Sequence, residues 1–295
     1  MDPKLAPTIS QLLSILSYPT LRKVSLIGLE EFPGSGEGDF SPRASFHHLK
    51  ELKLGEGPRS ILELLHRSVS LGHLNNLDIT LFSDAVEDLS HIIGPYLRDY
   101  LRRRGRARSG LGLFLSSWSD LELRVGDVGG IGLSTPAPAR MNAFVAITTR
   151  FGETLPQDQW EKIIINLIAY VPREEVVHLQ AHGETLGTED LPTQFPNLRG
   201  LHFERTPLRT AFPKSCLDRC GRFFPSLQYL WLDRVIVDGG NWSSLATSLH
   251  NRAAYGNQLH TLIVVGNYPM NPSVWRGFSA VVKIFASHLD FLSPS

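Results

Sequence analysis

Three segments late in the chain place apolar residues at their first, fourth and sixth positions: Leu198-Arg-Gly-Leu201-His-Phe203, Leu227-Gln-Tyr-Leu230-Trp-Leu232 and Leu259-His-Thr-Leu262-Ile-Val264. The first three positions suit a turn into a short strand, and the fourth and sixth put alternate side chains on one buried face. The same cadence stands upstream in Leu21-Arg-Lys-Val24-Ser-Leu26, Leu49-Lys-Glu-Leu52-Lys-Leu54 and Leu74-Asn-Asn-Leu77-Asp-Ile79. Leu21 to Leu49 spans 28 residues, Leu49 to Leu74 spans 25, Leu198 to Leu227 spans 29 and Leu227 to Leu259 spans 32. Helical stretches are expected between the strands, over 61–69, 84–104, 214–223 and 242–252. Asn241 suits the cap of the last, because its side-chain carbonyl can accept an orphan amide.

A strand and a helix repeating at roughly 20 to 29 residues, or slightly more, is leucine-rich-repeat grammar. The fold class expected is therefore α/β: an irregular leucine-rich-repeat solenoid forming one domain over 1–295. Parallel strands would line its concave face and helices its convex face. The repeat usually places Asn or Cys three residues after the last strand leucine; Asn267 fits, but Leu29, Gly57, Phe82, Thr206 and Val235 hold the equivalent positions. The curvature is accordingly expected to be irregular. The plainer reading is that such a cadence arises in any amphipathic α/β chain, and its recurrence with helices between weighs against it.

The middle of the chain departs from the pattern. Leu111, Leu113 and Leu115 predict one further strand, and Val176, Leu179 and Ala181 another. Between them Leu121, Leu123 and Val125 alternate with polar neighbours, a loop rich in Gly, Pro and Ala covers 126–140, and Phe144, Ala146 and Thr148 follow. This reads as a two-stranded insertion over 116–156 with a long tip, then a helix over 157–170. The tip is a ligand-contact site or a mobile excursion. Near the end, Trp275, Phe278, Val281, Val282, Phe285 and Leu289 have helical spacing. A helix over 274–289, within a capping element at 272–290, is expected to close the edge of the last repeat.

Composition narrows the function classes. With 42% hydrophobic residues and a mean hydropathy of -0.07, 295 residues can bury a core without disulfides or metals. Lys plus Arg equals Asp plus Glu at 29 each, which gives no general attraction for nucleic acid or anionic lipid. No run approaches the roughly 18 apolar residues of a membrane span, and no apolar run follows a basic start. An intracellular protein, of cytoplasm or nucleus, is expected. Cys216 and Cys220 lie four apart on one expected helix face, which suits two core-facing side chains; a metal site would need two more ligands.

Arg98, Arg102, Arg103, Arg104, Arg106 and Arg108 form the most polarised segment, at the end of an amphipathic helix. Such a cluster can hold phosphates or an acidic partner, or serve nuclear import; its plainer role is a solvated helix C-terminus. Only Tyr100 stands among these arginines, and none of Arg102 to Arg108 has an aromatic beside it, so a stacking platform for single strands is not formed and nucleic acid is not the expected partner. No G-x-S-x-G, P-loop, H-E-x-x-H or dinucleotide fingerprint is present. His47 and His48 are adjacent, as are Glu174 and Glu175, so neither pair is placed for shared chemistry. Neither catalysis nor a cofactor is expected, although residues assembled from distant loops would escape such a search.

The block from Phe224-Pro-Ser-Leu227 through Asp238-Gly-Gly-Asn241-Trp242, with Leu245 and the run ending Asn257-Gln-Leu259, resembles the repeat region of the large F-box-like family of basidiomycete fungi. Tyr96-Leu-Arg98-Asp-Tyr-Leu-Arg102 is similar to a segment upstream in those proteins. The resemblance runs from about the first repeat to Val264 and rests on repeat and turn residues. It implies the substrate-recognition arm of a cullin-RING ubiquitin ligase, in which an N-terminal F-box docks a Skp-type adaptor and the repeats hold the target. No Leu-Pro-x-Glu-type F-box opening precedes Leu21, and only a short amphipathic helix over 9–16 stands before the first strand. The chain is then a fragment of a longer product, or a relative that kept the repeats without ligase docking. A Skp-type adaptor is a partner only if an F-box lies outside it.

A protein-interaction module is thus the leading expectation. The polar strand positions include Arg199, His202, Tyr229, Trp231 and His260. His202, Tyr229 and Trp231 are the foremost contact candidates, since aromatics with a polar handle dominate interface energetics. The plainer role of each is an ordinary exposed strand residue, and of Trp231 a packing position under the insertion.

Overall fold

A computed structural model describes residues 11, 14–15, 17–27, 48–55, 74–82, 94–95, 97–98, 101–102, 110–116, 121–128, 141–150, 162, 165–183, 194–207, 224–236, 241–266 and 272–288. It shows a mixed α/β protein whose strands pair largely in parallel, with no barrel among the described residues. The chain divides into two compact units: Met1–Arg106, Ser119–Val125 and Ala143–Pro172 form the first, and Ala107–Trp118, Gly126–Asn142 and Arg173–Ser295 the second.

The first unit contains β1 (Lys23–Ile27), β2 (Glu51–Gly55), β3 (Asn76–Phe82), most of β5 (Leu121–Val128) and most of β6 (Met141–Arg150). Parallel register stacks the cadence: Val24 faces Leu52, Leu52 faces Leu77, and Leu26, Leu54 and Ile79 follow two positions on. Leu52, Leu54, Leu77 and Ile79 are all buried. Helical residues 94–95, 97–98 and 101–102 belong to this unit and bury Leu97 and Leu101. Gly94 is required there, because a Cβ would collide with the ring of Tyr170.

The two strands expected as an insertion, β5 and β6, are neighbours in the sheet, and β6 has a further partner. It pairs in parallel with β3, Leu77 facing Val145 and Ile79 facing Ile147, so it extends the first unit's sheet. The expected parity differs too, since Val145 and Ile147, not Phe144 and Ala146, continue the apolar columns. Both sets are apolar, so alternation alone could not choose; pairing with β3 does.

The second unit contains β4 (Leu111–Ser116), β7 (Val176–His182), β8 (Gly200–Glu204), β9 (Tyr229–Asp233), β10 (Leu259–Val265) and β11 (Val282–His288). They lie in the order β4, β7, β8, β9, β10, β11, each parallel to the next. One column aligns Leu113, Leu179, Leu201, Leu230, Leu262 and Phe285. Leu201, Phe203, Leu230, Leu232, Leu262 and Val264 are each at most 1% exposed and form the core.

Parallel neighbours need a crossover, and α1 (Asn241–Ala254) and α2 (Pro272–Val281) supply two. α1 starts at Asn241, one residue before the helix expected over 242–252. Trp242 of α1 meets Phe278 of α2 edge to face, with ring centroids 6.1 Å apart. The helix expected over 274–289 ends at Val281, and Val282–His288 is a strand beside β10. Val282, Ile284 and Phe285 fit either period, and the open edge of β10 offers backbone partners that a longer helix would leave unmet. The helices expected over 61–69 and 214–223, with Cys216 and Cys220, and the loop beyond Val128, lie outside the described residues.

Arg252 of α1 fixes the turn into β9. It is 3% exposed; its Nη1 donates to the Phe224 carbonyl at 2.6 Å and its Nη2 to the Leu227 carbonyl at 2.7 Å. Phe224 sits at φ 55°, a left-handed conformation that needs such support. Replacing the guanidinium removes both bonds, leaving the Phe224 carbonyl only the Leu227 amide, and each charge-assisted bond is worth about 1.5 to 3 kcal/mol. Arg252→Met should therefore lower unfolding free energy by about 3 kcal/mol in denaturant titration, and Arg252→Lys by less, since one ammonium can still reach one carbonyl.

Candidate functional site

The strand face opposite the apolar columns is where the second unit carries its chemistry. Alternation places the third, fifth and seventh cadence positions on that face, and parallel register turns each into a row. His178, Gly200, Tyr229 and Thr261 make the first row. Gln180, His202, Trp231 and Ile263 make the second, and His182, Glu204, Asp233 and Val265 the third.

Gly200 opens the space that fills this face, because a Cβ there would collide with Nδ1 of His178. The His178 ring settles over the gap and is 6% exposed; His202 is 4% exposed. The His202 ring lies 5.5 Å from that of Trp231, and Tyr229 lies 5.8 Å from His260. His260 Nδ1 is 2.9 Å from Thr261 Oγ1, and His182 Nδ1 is 3.4 Å from Ser116 Oγ. Among the described residues, neither ring nitrogen of His178 or His202 has a hydrogen-bond partner, nor has Nε1 of Trp231. Buried polar atoms without partners are rare, since each forfeits its bonds to water.

At one end of this face a His202 ring nitrogen, a Glu204 carboxylate oxygen and an Asp233 carboxylate oxygen all lie within 4.8 Å of one another. Arg234 Nε stands 3.7 Å from Asp233 Oδ1 at the exposed rim. The backbone just beyond is fixed by repeated left-handed residues: Gly183, Arg205 and Arg234 have φ of 89°, 51° and 48°. Their amides donate to the carbonyls of Glu204, Asp233 and Val265 at 3.1, 2.8 and 2.7 Å. Thr206, 0% exposed, occupies a position where the repeat grammar calls for Asn, and its hydroxyl donates to the Glu204 carbonyl at 3.1 Å.

Of the residues expected to meet a partner, Tyr229, Trp231 and His260 are half-buried and Arg199 is exposed. His202 is buried, enclosed by residues that the sequence pattern did not single out. His178, His182, Glu204 and Asp233 escaped notice because the cadence ends at its sixth position and they lie outside it or at the seventh. Extending the alternation one step past Phe203 and Leu232 would have found Glu204 and Asp233. In the basic cluster, Arg98 and Arg102 are exposed on helical backbone, and Arg98 lies 5.8 Å from the Tyr170 ring centroid in a cation–π contact. Arg103, Arg104, Arg106 and Arg108 lie outside the described residues.

No protein-family model, curated protein or solved structure matches the chain. Among the described residues, no helix is long and apolar enough to cross a membrane.

Burial pushes the pKa of His178 down to about 4 and that of His202 down to about 3, with nearby His178 and His182 adding to the effect on His202. Both rings are therefore neutral at pH 7, whereas in the unfolded chain they titrate near the ordinary 6.5. The unfolded state binds more protons below that point, so stability is full above pH 6.5 and falls as acid is added, down to the folded values. At pH 5 each histidine should have removed roughly 2 kcal/mol. Denaturant midpoints measured from pH 7.5 to 5 should fall, and His202→Asn should flatten that slope.

Proposed function

We propose that this chain is a protein-interaction module whose second unit holds a target protein on its open strand face. The observation that carries the reading is the pairing of Tyr229 with His260 and of Trp231 with His202 there: large rings with polar handles, backed by a strand core at most 1% exposed. Rigid backing lets a partner bury the exposed portions without a large ordering penalty. The first unit's open face is different, with exposed Lys23–Glu51 and Lys53–Asp78 pairs at 2.8 and 3.3 Å. Pairs of that kind contribute little affinity.

The stacked cadence and the βαβ crossovers support the further reading of an irregular leucine-rich-repeat solenoid. The sequence resemblance then supports a place among the F-box-like recognition arms. In that role the strand face selects the protein to be ubiquitylated.

Affinity capture from a fungal extract, with the chain as bait at low and high salt and mass-spectrometric readout, tests this. A protein retained at high salt should be lost on Tyr229→Ala and Trp231→Ala and kept on Tyr255→Ala, an exposed site at the end of α1. Affinity losses at such contacts reach about 30-fold when they are hot spots. Co-recovery of a Skp-type adaptor and a cullin supports the ligase role; capture of nucleic acid alone, released by salt, overturns the protein-binding reading.

A further inference from the structure

We propose that His202, Glu204 and Asp233 form a binding site for a divalent transition-metal ion of the zinc class. The three come from two adjacent strands of the second unit. His202 and Glu204 are two apart on β8 and so share a face; Asp233 stands in register with Glu204 on β9. One donor atom from each lies within 4.8 Å of the other two. A tetrahedral site with metal–ligand bonds near 2.1 Å needs donors about 3.4 Å apart, so modest side-chain rotations close the triad.

Two independent features favour a cation here. His202 is 4% exposed, reaches into the cluster, and finds no hydrogen-bond partner among the described residues for either ring nitrogen. Coordination would satisfy one of them. Glu204 and Asp233 are also directly opposite across a strand pair, where two like charges repel and a cation between them removes the repulsion. Arg234, exposed at the rim, can swing into solvent as the ion enters.

The donor set selects the ion. One imidazole nitrogen with two carboxylates suits Zn2+, Co2+ or Mn2+ better than Ca2+, which prefers six to eight oxygens. Three protein ligands grouped on one strand face leave the opposite coordination positions open. Water fills them in the isolated protein, and a donor side chain of a bound target can replace it. That last possibility deepens the interaction reading, but metal uptake itself does not depend on it.

The test is isothermal titration of the full chain with ZnCl2, paired with Co2+ absorption. One ion should bind per chain. Glu204→Gln and Asp233→Asn, nearly isosteric changes at half-buried positions, should each weaken binding at least about 10-fold. His202→Ala should abolish it, with circular dichroism confirming that the variant folds. His250→Ala and the double variant Cys216→Ser with Cys220→Ser should leave affinity unchanged. The Co2+ complex should show visible ligand-field bands without near-ultraviolet thiolate charge transfer. Absence of saturable Zn2+ uptake overturns the proposal. So does uptake that survives both carboxylate substitutions, or that disappears with the cysteines.

Discussion

One backbone arrangement recurs in both units, and the registers described here depend on it. The carbonyl of the second cadence residue accepts two amides from the following repeat. Arg22 accepts Lys50 and Glu51 at 2.8 and 3.0 Å, and Lys50 accepts Asn75 and Asn76 at 2.6 and 3.1 Å. Arg199 accepts Gln228 and Tyr229 at 2.8 and 2.9 Å, and Gln228 accepts His260 and Thr261, both at 2.9 Å. A carbonyl has two lone pairs, so one acceptor can dock both amides that open the next strand. A slip of one residue would break these bonds and turn every leucine of the column to the open face.

Once register is set, the two faces diverge in kind. The column face needs only apolar volume, and Leu, Ile, Val and Phe supply it. The open face inherits whatever stands at the odd positions. In the first unit that produces surface ion pairs, Lys23 with Glu51 and Lys53 with Asp78, both substantially exposed. In the second it gathers His178, His202 and Trp231, whose buried ring nitrogens lack partners among the described residues. The second arrangement carries a desolvation cost that the first avoids, and such a cost is commonly tied to a site that binds something.

The polar corner of the second unit is held by the strand ends. Glu204 and Asp233 are the last residues of β8 and β9, and left-handed residues follow at Arg205 and Arg234. Non-glycine residues adopt that conformation at a cost of about 1 to 2 kcal/mol. Here the bonds from the Arg205 and Arg234 amides to the next strand's carbonyl offset it. At the other end of the strands, Arg252 plays the matching part for the turn at Phe224 and Leu227.

By itself the sequence determined the strands that carry the repeated cadence and the inward positions of most of them. Apolar residues at positions one, four and six announce a turn, a strand and its inward face, and those are local properties of a chain with alternating side chains. Candidate contacts at Tyr229 and Trp231 were readable for the same reason, since they fall between column residues. Only the tertiary structure decided that β6 joins β3, that the last apolar segment splits into α2 and β11, and that His202 is enclosed rather than exposed. Each depends on neighbours far away in sequence: Leu77 for Val145, Leu259 for Val282, and His178 and Trp231 for His202. Parallel pairing brings together residues separated by a whole crossover, and the periodicity of a single strand carries no information about which side chains that pairing will place side by side.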